Sequence, residues 1–375
     1  MIKNFETYYC YYKMNRLDKT SRWVRQQEFP YISMYGPPVD TVFERLVDFC
    51  KDITVNYNES SYITQNVVDF TMFSPVKFPL TLESKHLLIS GSTDKFVENI
   101  SDYFQESVRL QTKRLRCGRH LGRTPMSYWT DPRLHCFWIQ PMIRDNIPFT
   151  AENMRCAIDR AVRKQCDLFS PTVLATLFMF ISSRQRVKDY KILDLCAGWG
   201  DRLITCLALR ASGLDISYTG IDPNQALFKG YADMIDKFGS NAANKFKMIN
   251  GCAESVVLQT EDIYDMIWAF PPYFNAEVYS LDSTQSSQAY KTVESWREDF
   301  LAKSLQNGWN SLKNKGYLVF NLNDIYDSVQ DKIVHYTEYA LERVSTFNRA
   351  VYIGCIYFKT AESSSPQPVF IFYKE

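Results

Sequence analysis

The chain has 375 residues and a formal net charge of +1, from 43 Lys and Arg against 42 Asp and Glu. The length points to two domains, and the charge excludes a globally basic nucleic-acid binder, so any anion site is a local patch. Hydrophobic residues make up 46% of the chain, enough for a sizeable core and too many for wholesale disorder.

In chain order, Pro37-Pro38 marks a turn, and apolar Val42, Phe43, Leu46, Val47 and Phe49 predict a helix over 39–52. Phe96, Ile100, Phe104 and Val108 predict another over 92–110. Thr150 is expected to cap a helix from Ala151 to about Lys164. Ser170 is expected to cap the next, with Pro171 at its first position. That helix, Val173 to Ile181, is apolar nearly all round and therefore buried. It is also the longest apolar run, too short to span a bilayer.

From Lys191 strand and helix patterns alternate. Strands are expected at 191–196, 217–222, 245–250, 264–270, 316–322, 349–358 and 367–374, and helices at 201–211, 224–238, 294–313 and about 327–343. Such alternation gives parallel strands joined by crossover helices, a doubly wound α/β sheet. Only a Ser/Pro-rich loop, Ser363-Ser364-Ser365-Pro366, separates the last two strands, so they should pair as an antiparallel hairpin.

Ten cysteines include no Cys-x-x-Cys pair, and Cys196, Cys206 and Cys355 sit in apolar runs. That is the pattern of reduced core thiols. With an N-terminus unlike a signal peptide, it leads us to expect a soluble, intracellular, cytoplasmic protein.

Lys113, Arg114, Arg116, Arg119 and Arg123 cluster ahead of Tyr128, Trp129, Phe137 and Trp138. Cations track phosphates and exposed aromatics stack on bases, so this is the candidate footprint on nucleic acid; the alternative is an exposed basic loop before a packed aromatic segment. Cys117, His120, His135 and Cys136 are zinc-ligand types. Adjacent His135 and Cys136 would point to opposite faces of a strand, however, and no metal site is expected.

Ligands of such sheets bind at the carboxyl ends of the strands. The first strand of the alternation ends Asp194-Leu195-Cys196-Ala197-Gly198-Trp199-Gly200. Gly198 and Gly200 permit a tight turn and close backbone approach. A pyrophosphate cradle would need a third glycine where Leu203 stands, so the turn suits a nucleoside with a short charged tail. Asp222, before Pro223 and Asn224, ends the second strand and can accept from both ribose hydroxyls, or else cap the following helix. Asn250-Gly251-Cys252-Ala253-Glu254 would lie beside the base. The fourth strand delivers Phe270-Pro271-Pro272-Tyr273-Phe274. Two prolines fix two φ angles and remove two donors, so the Pro271 carbonyl is expected to face the pocket beside the flat ring of Tyr273. This corner suits a planar heterocycle with an exocyclic amine.

These residues resemble the S-adenosylmethionine-dependent amino-methyltransferases, which methylate exocyclic amines of bases, with some relatives acting on glutamine amides. The resemblance covers about residues 165–375. Asp194 to Gly200 is similar to the family's first cofactor motif, Asp222 to its ribose-binding acid, and Phe169 to Thr172 to an extra cofactor motif. Phe270 to Tyr273 is similar to its Asp/Asn/Ser-Pro-Pro-aromatic motif. The continuations Gly198 to Leu203 and Pro271 to Ser280 resemble members from phages and large DNA viruses.

The resemblance implies a Rossmann-like methyltransferase domain over 149–375, behind a mainly helical or mixed accessory region over 1–148. It implies S-adenosylmethionine as cofactor, held by Asp194, Cys196, Ala197, Gly198, Gly200, Asp222, Asn224, Cys252 and Ala253. It further implies methylation of nucleic acid at an adenine N6 amine, at a catalytic corner of Phe270, Pro271, Pro272 and Tyr273. Phe270 departs from the motif, since phenylalanine accepts no hydrogen bond. Either another polar group (Asn275, Glu277 or Asn323) or another acceptor is used, or the domain is a silent subunit that binds nucleic acid or an active partner.

Overall fold

A computed structural model describes residues 16–53, 88–114, 123–162, 166, 168–182, 185, 187–258, 263–274, 277–327, 332–359 and 367–375. Eight strands form one sheet: β1 (Leu88–Ser90), β2 (Tyr190–Asp194), β3 (Ile216–Asp222), β4 (Phe246–Asn250), β5 (Tyr264–Ala269), β6 (Leu312–Asn321), β7 (Ala350–Lys359) and β8 (Gln367–Lys374). Their spatial order is β1-β7-β8-β6-β5-β2-β3-β4. β4, β3, β2, β5 and β6 run parallel. β8 is antiparallel to both β7 and β6, the expected hairpin. β1 extends the sheet as a parallel partner of β7, an edge strand that its three residues did not announce.

The longer helices include α1 (Val39–Asp52), α2 (Asp102–Arg109), α3 (Cys136–Arg144), α4 (Ala151–Val162), α5 (Pro171–Ser182), α6 (Asp201–Ala211), α7 (Phe228–Phe238), α8 (Lys303–Ser311) and α9 (Tyr336–Ser345). Successive strand residues go to opposite faces. Ile192, Met266, Val319 and Ile371 join one core with α1, α5, α6 and α7. Leu193, Ile267, Leu318 and Phe370 join the other with α8 and α9. Burial on both faces is why these strands read as continuous apolar runs. A third, smaller core of Val24, Phe29, Leu110, Trp129, Trp138, Met142 and Ile158 holds α3 and α4 together with the 16–24 helix. No helix among the described residues is long and apolar enough to cross a membrane.

Both expected caps form. Asn153 N donates to Thr150 Oγ1 at 3.3 Å, and Val173 N to Ser170 Oγ at 3.1 Å. Four expectations are corrected. Residues 92–110 make two helices, Lys95–Glu98 and α2, because Asp94 caps the first at Phe96 N and Val97 N and the chain turns again before Asp102. The 294–313 segment contains a π turn over Trp296–Ala302, and β6 begins already at Leu312. Only α9 of the 327–343 segment is helical; Ile325–Asp327 and Lys332–Val334 pair antiparallel, as β-branched Ile325, Ile333 and Val334 favour. His135 and Cys136 lie at the start of α3, not on a strand.

Candidate active site

A cavity of about 230 Å³ opens at the carboxyl ends of β2, β3, β4 and β5. A single water needs only about 10–15 Å³ of such space, so the cavity suits a small molecule. Its walls combine Cys196, Ala197 and Gly198, then Asp222 and Asn224, then Cys252, Ala253 and Glu254, then Phe270 to Tyr273. Eleven of the thirteen residues expected around the cofactor and at the corner thus share one cavity; Asp194 and Gly200 stand behind it.

Those two shape the turn. Asp194 is fully buried; its Oδ2 accepts from Arg202 Nε at 2.6 Å and from the Tyr218 hydroxyl at 2.7 Å, and its Oδ1 from Cys196 N at 3.2 Å. Arg202 also donates to the Cys196 carbonyl. A buried carboxylate needs such pairing, and the pairing ties the loop to the first turn of α6. Gly200 has φ +85°, a left-handed conformation that favours glycine, and a Cβ there would press on Met234 Sδ at 2.9 Å. Gly198, at φ +57°, is likewise left-handed.

Asp222 receives one backbone donor on each oxygen: Gly198 N on Oδ2 and Asn224 N on Oδ1, both at 2.8 Å. Each oxygen keeps a lone pair for a ligand hydroxyl. Asn224, not Asp222, accepts from Ala226 N at 3.2 Å and caps the following helical turn, so the capping alternative for Asp222 is not realised. Burial pushes the Asp222 carboxyl up to about 6. Gly251 N donates to the Asp222 carbonyl at 3.1 Å, bringing the loop after β4 alongside. Asn307 Nδ2 braces that loop at the carbonyls of Ala253 and Val256, 2.8 Å each. Glu254 Oε1 accepts from the Tyr290 hydroxyl at 3.0 Å. Its Oε2 is buried without a partner, and burial raises its carboxyl.

The opposite wall is aromatic. The Arg202 guanidinium carbon lies 4.8 Å from the Phe270 ring centroid, and Phe169 meets the same ring edge-on at 4.8 Å. Phe358 packs behind Phe169 at 4.7 Å. Phe169 is held by its N–H, which donates to Asp201 Oδ2 at 2.8 Å; Asp201, which also accepts from Ser101, is pushed up to about 6 by burial. The Tyr273 hydroxyl donates to Asn321 Oδ1 at 2.6 Å and lies 3.2 Å from Asn323 Nδ2. Asn323 is therefore engaged with Tyr273; Asn275 lies outside the described residues, and of Glu277 only the backbone is described. A left-handed Phe274, φ +45°, closes the corner.

Just beyond the corner, Glu277 and Val278 pair antiparallel with Arg114 and Lys113. The basic segment is thus hydrogen-bonded to the chain that leaves Tyr273. Arg123 is exposed, whereas Arg116, Arg119, Cys117 and His120 lie outside the described residues. Buried His135 bonds Ser21 Oγ at 2.7 Å and the Trp129 carbonyl at 2.8 Å. Among the described residues no three His, Cys, Asp or Glu side chains cluster as metal ligands do. Sequence reasoning missed Arg202, Tyr290, Phe358 and Asn321; the one available signal was Arg202, a cation inside an apolar helical stretch.

No family model matches the sequence, and no curated protein matches it. Solved structures to which the chain is similar include TrmN from Thermus thermophilus, at 10% identity and TM-score 0.38, covering 61% of this chain and 69% of that one. An rRNA methylase from Streptococcus thermophilus aligns at 9% identity and TM-score 0.33, over 53% of this chain and 95% of its own. A protein assigned as a sarcosine dimethylglycine methyltransferase, from Galdieria sulphuraria, aligns at 16% identity and TM-score 0.34, over 50% of this chain; the chain spans 61% of its length. All three scores lie below 0.5, so the functional reading rests on the cavity itself.

Proposed function

We propose that the chain is an S-adenosylmethionine-dependent methyltransferase acting on nucleic acid, with an exocyclic amine of adenine in DNA or RNA as acceptor. The observation that carries this reading is the juxtaposition, in one cavity, of a half-satisfied Asp222, a left-handed glycine turn, an unpartnered Glu254 oxygen and the Pro271-Pro272-Tyr273 corner. Spare acceptors at Asp222 and Glu254 fit the hydroxyls and amine of an adenosyl group. When bound, S-adenosylmethionine supplies an electrophilic methyl group. Asp194, Cys196, Ala197, Gly198 and Gly200 form or support the turn that receives it, with Asn224, Cys252 and Ala253 beside the nucleoside.

The chain's own work is positioning. Tyr273, its hydroxyl pinned by Asn321, offers a flat face; stacking of a base is worth about 1–3 kcal/mol, against the few kcal/mol needed to extract it from a duplex. The Pro271 carbonyl accepts one amine N–H. The ladder between 113–114 and 277–278 supports a role for the basic segment in guiding the strand, since it sits next to the corner. We take residues 1–148 as the accessory region and 149–375 as the methyltransferase domain.

A second reading, favoured by the Phe270 ring lodged between Arg202 and Phe169, is a silent methyltransferase-like subunit that binds nucleic acid or an active partner. Transfer of a tritiated methyl group to DNA, RNA and capped transcripts separates the two: incorporation supports the enzyme, and cofactor binding without incorporation supports the silent subunit. Arg114→Ala with Arg116→Ala should weaken nucleic-acid binding and flatten its salt dependence. An unchanged salt slope removes the footprint.

A further inference from the structure

α2 precedes the α/β alternation in the chain, yet one of its faces lies against the cavity. Ser101 and Gln105, four residues apart, share that face and are both buried. Ser101 is the N-cap of α2. A serine there ordinarily bonds an N–H in the first turn of its own helix. Here the hydroxyl makes no such bond and donates instead to Asp201 Oδ1. Gln105 Nε2 donates to the Leu227 carbonyl at 2.9 Å. The approach is close, since a Cβ at Gly230 in α7 would stand 2.5 Å from Gln105 Cδ. Glu106, one residue on, turns instead to Arg155 and to Ile32 N at 2.7 Å.

Both partners of this face line the cavity, and they reach different walls. Asp201 Oδ2 accepts from Phe169 N at 2.8 Å, and the Phe169 ring meets Phe270. Leu227 N donates to the Asn224 carbonyl at 3.1 Å, and Asn224 N sets Asp222 Oδ1 at 2.8 Å. We propose that Ser101 and Gln105 are positioning residues for the cofactor: through Asp201 and Leu227 they fix the aromatic and the polar wall of the cavity, so a helix of the accessory region sets cofactor affinity. The inference rests on the proposed reading that the cavity holds an adenosyl cofactor. Neither side chain needs to touch the ligand. A pocket whose walls are already fixed does not spend binding energy on ordering them.

The test is calorimetric titration of the full chain with S-adenosylhomocysteine at several pH values around 6. Ser101→Ala should weaken binding by about threefold to tenfold, the scale of one buried hydrogen bond. Gly230→Ala should act similarly, because its Cβ displaces only the flexible end of Gln105; it carries the test if Ser101→Ala does not fold. Glu106→Gln, on the other face, should leave affinity within about twofold, since Arg155 keeps Asp159 at 2.9 Å. A second readout separates positioning from mere loss of packing. Burial already raises the Asp201 carboxyl to about 6, and losing the Ser101 donor disfavours its charged form further. The acid weakening of affinity should therefore begin at higher pH in Ser101→Ala. Arg202 on its own helix and Asp102 on α2 are the charged groups that face Asp201, and both are unchanged, as are Asp222 and Glu254 in the cavity. In an Asp201→Asn background Ser101→Ala should no longer move the pH profile. Folded Ser101→Ala and Gly230→Ala that bind like wild type, an unmoved pH profile in Ser101→Ala, or equal weakening in Glu106→Gln overturns the proposal while leaving the cofactor reading standing. Failure of wild type to bind overturns both.

Discussion

On the β2 and β3 side of the cavity, polar side chains are held by backbone and by each other. Asp222 is set by two N–H groups, and Asp194 by Arg202, Tyr218 and Cys196 N. On the β5 side, rings do the same work: Phe270 is wedged between Arg202 and Phe169, and Phe169 rests on Phe358. Arg202 belongs to both walls. The first wall offers acceptors to a ligand, the second flat surfaces. The lesson is that this end of the cavity is shaped by packed rings, with Phe270 filling its place between Arg202 and Phe169.

The largest way to break this comparison is at the shared residue. Arg202→Ala strips Asp194 of its cation in a fully buried setting and removes the bed under Phe270. Stability should fall by about 3–5 kcal/mol in urea unfolding; a loss well under 1 kcal/mol would mean the two walls are independent. Asp222→Asn acts on the polar wall alone. Cofactor affinity should drop by about 1.5–3 kcal/mol, the value of hydrogen bonds to a charged group.

The same carboxylate predicts a pH effect. Its pKa is raised by burial to about 6, and the ionised form is the better acceptor, so affinity should be flat above neutrality and weaken as pH falls through about 6. Asp201 also titrates at about 6, but both its oxygens are already engaged with Ser101 and Phe169 N. Any slope surviving in Asp222→Asn measures the joint share of Asp201 and of Glu254, whose carboxyl burial also raises.

Phe270→Asn acts on the aromatic wall. Losing two ring contacts should cost about 1–2 kcal/mol of stability, leave cofactor affinity within a few fold, and raise methyl transfer if the amine grip was merely weakened. Loss of cofactor binding would show that the walls are not separable. The smallest effect is expected from Tyr273→Phe. It removes the bond to Asn321, worth about 1 kcal/mol, and should lower transfer without moving cofactor affinity.

Much of the sheet was legible because β2, β5 and β6 bury both faces, leaving apolar runs that no other element explains. The glycine turn and the Pro-Pro corner were legible because they restrict the backbone locally. What stayed hidden depends on distant residues. β1 forms only because β7 offers it a free edge. The Arg202–Asp194 pair needs the turn to fold back on itself, and the Tyr290–Glu254 bond joins residues from separate loops. The pairing of Ile325–Asp327 with Lys332–Val334 was hidden because the helix expected over about 327–343 overlapped it. The position of the basic segment beside the corner follows from a two-residue ladder that periodicity cannot reveal.

Everything proposed for this cavity depends on its taking an adenosyl cofactor. Calorimetric titration of the purified chain with S-adenosylmethionine tests it most directly. Saturable one-to-one binding that weakens in Asp222→Asn is expected. An absence of binding at millimolar cofactor would contradict it.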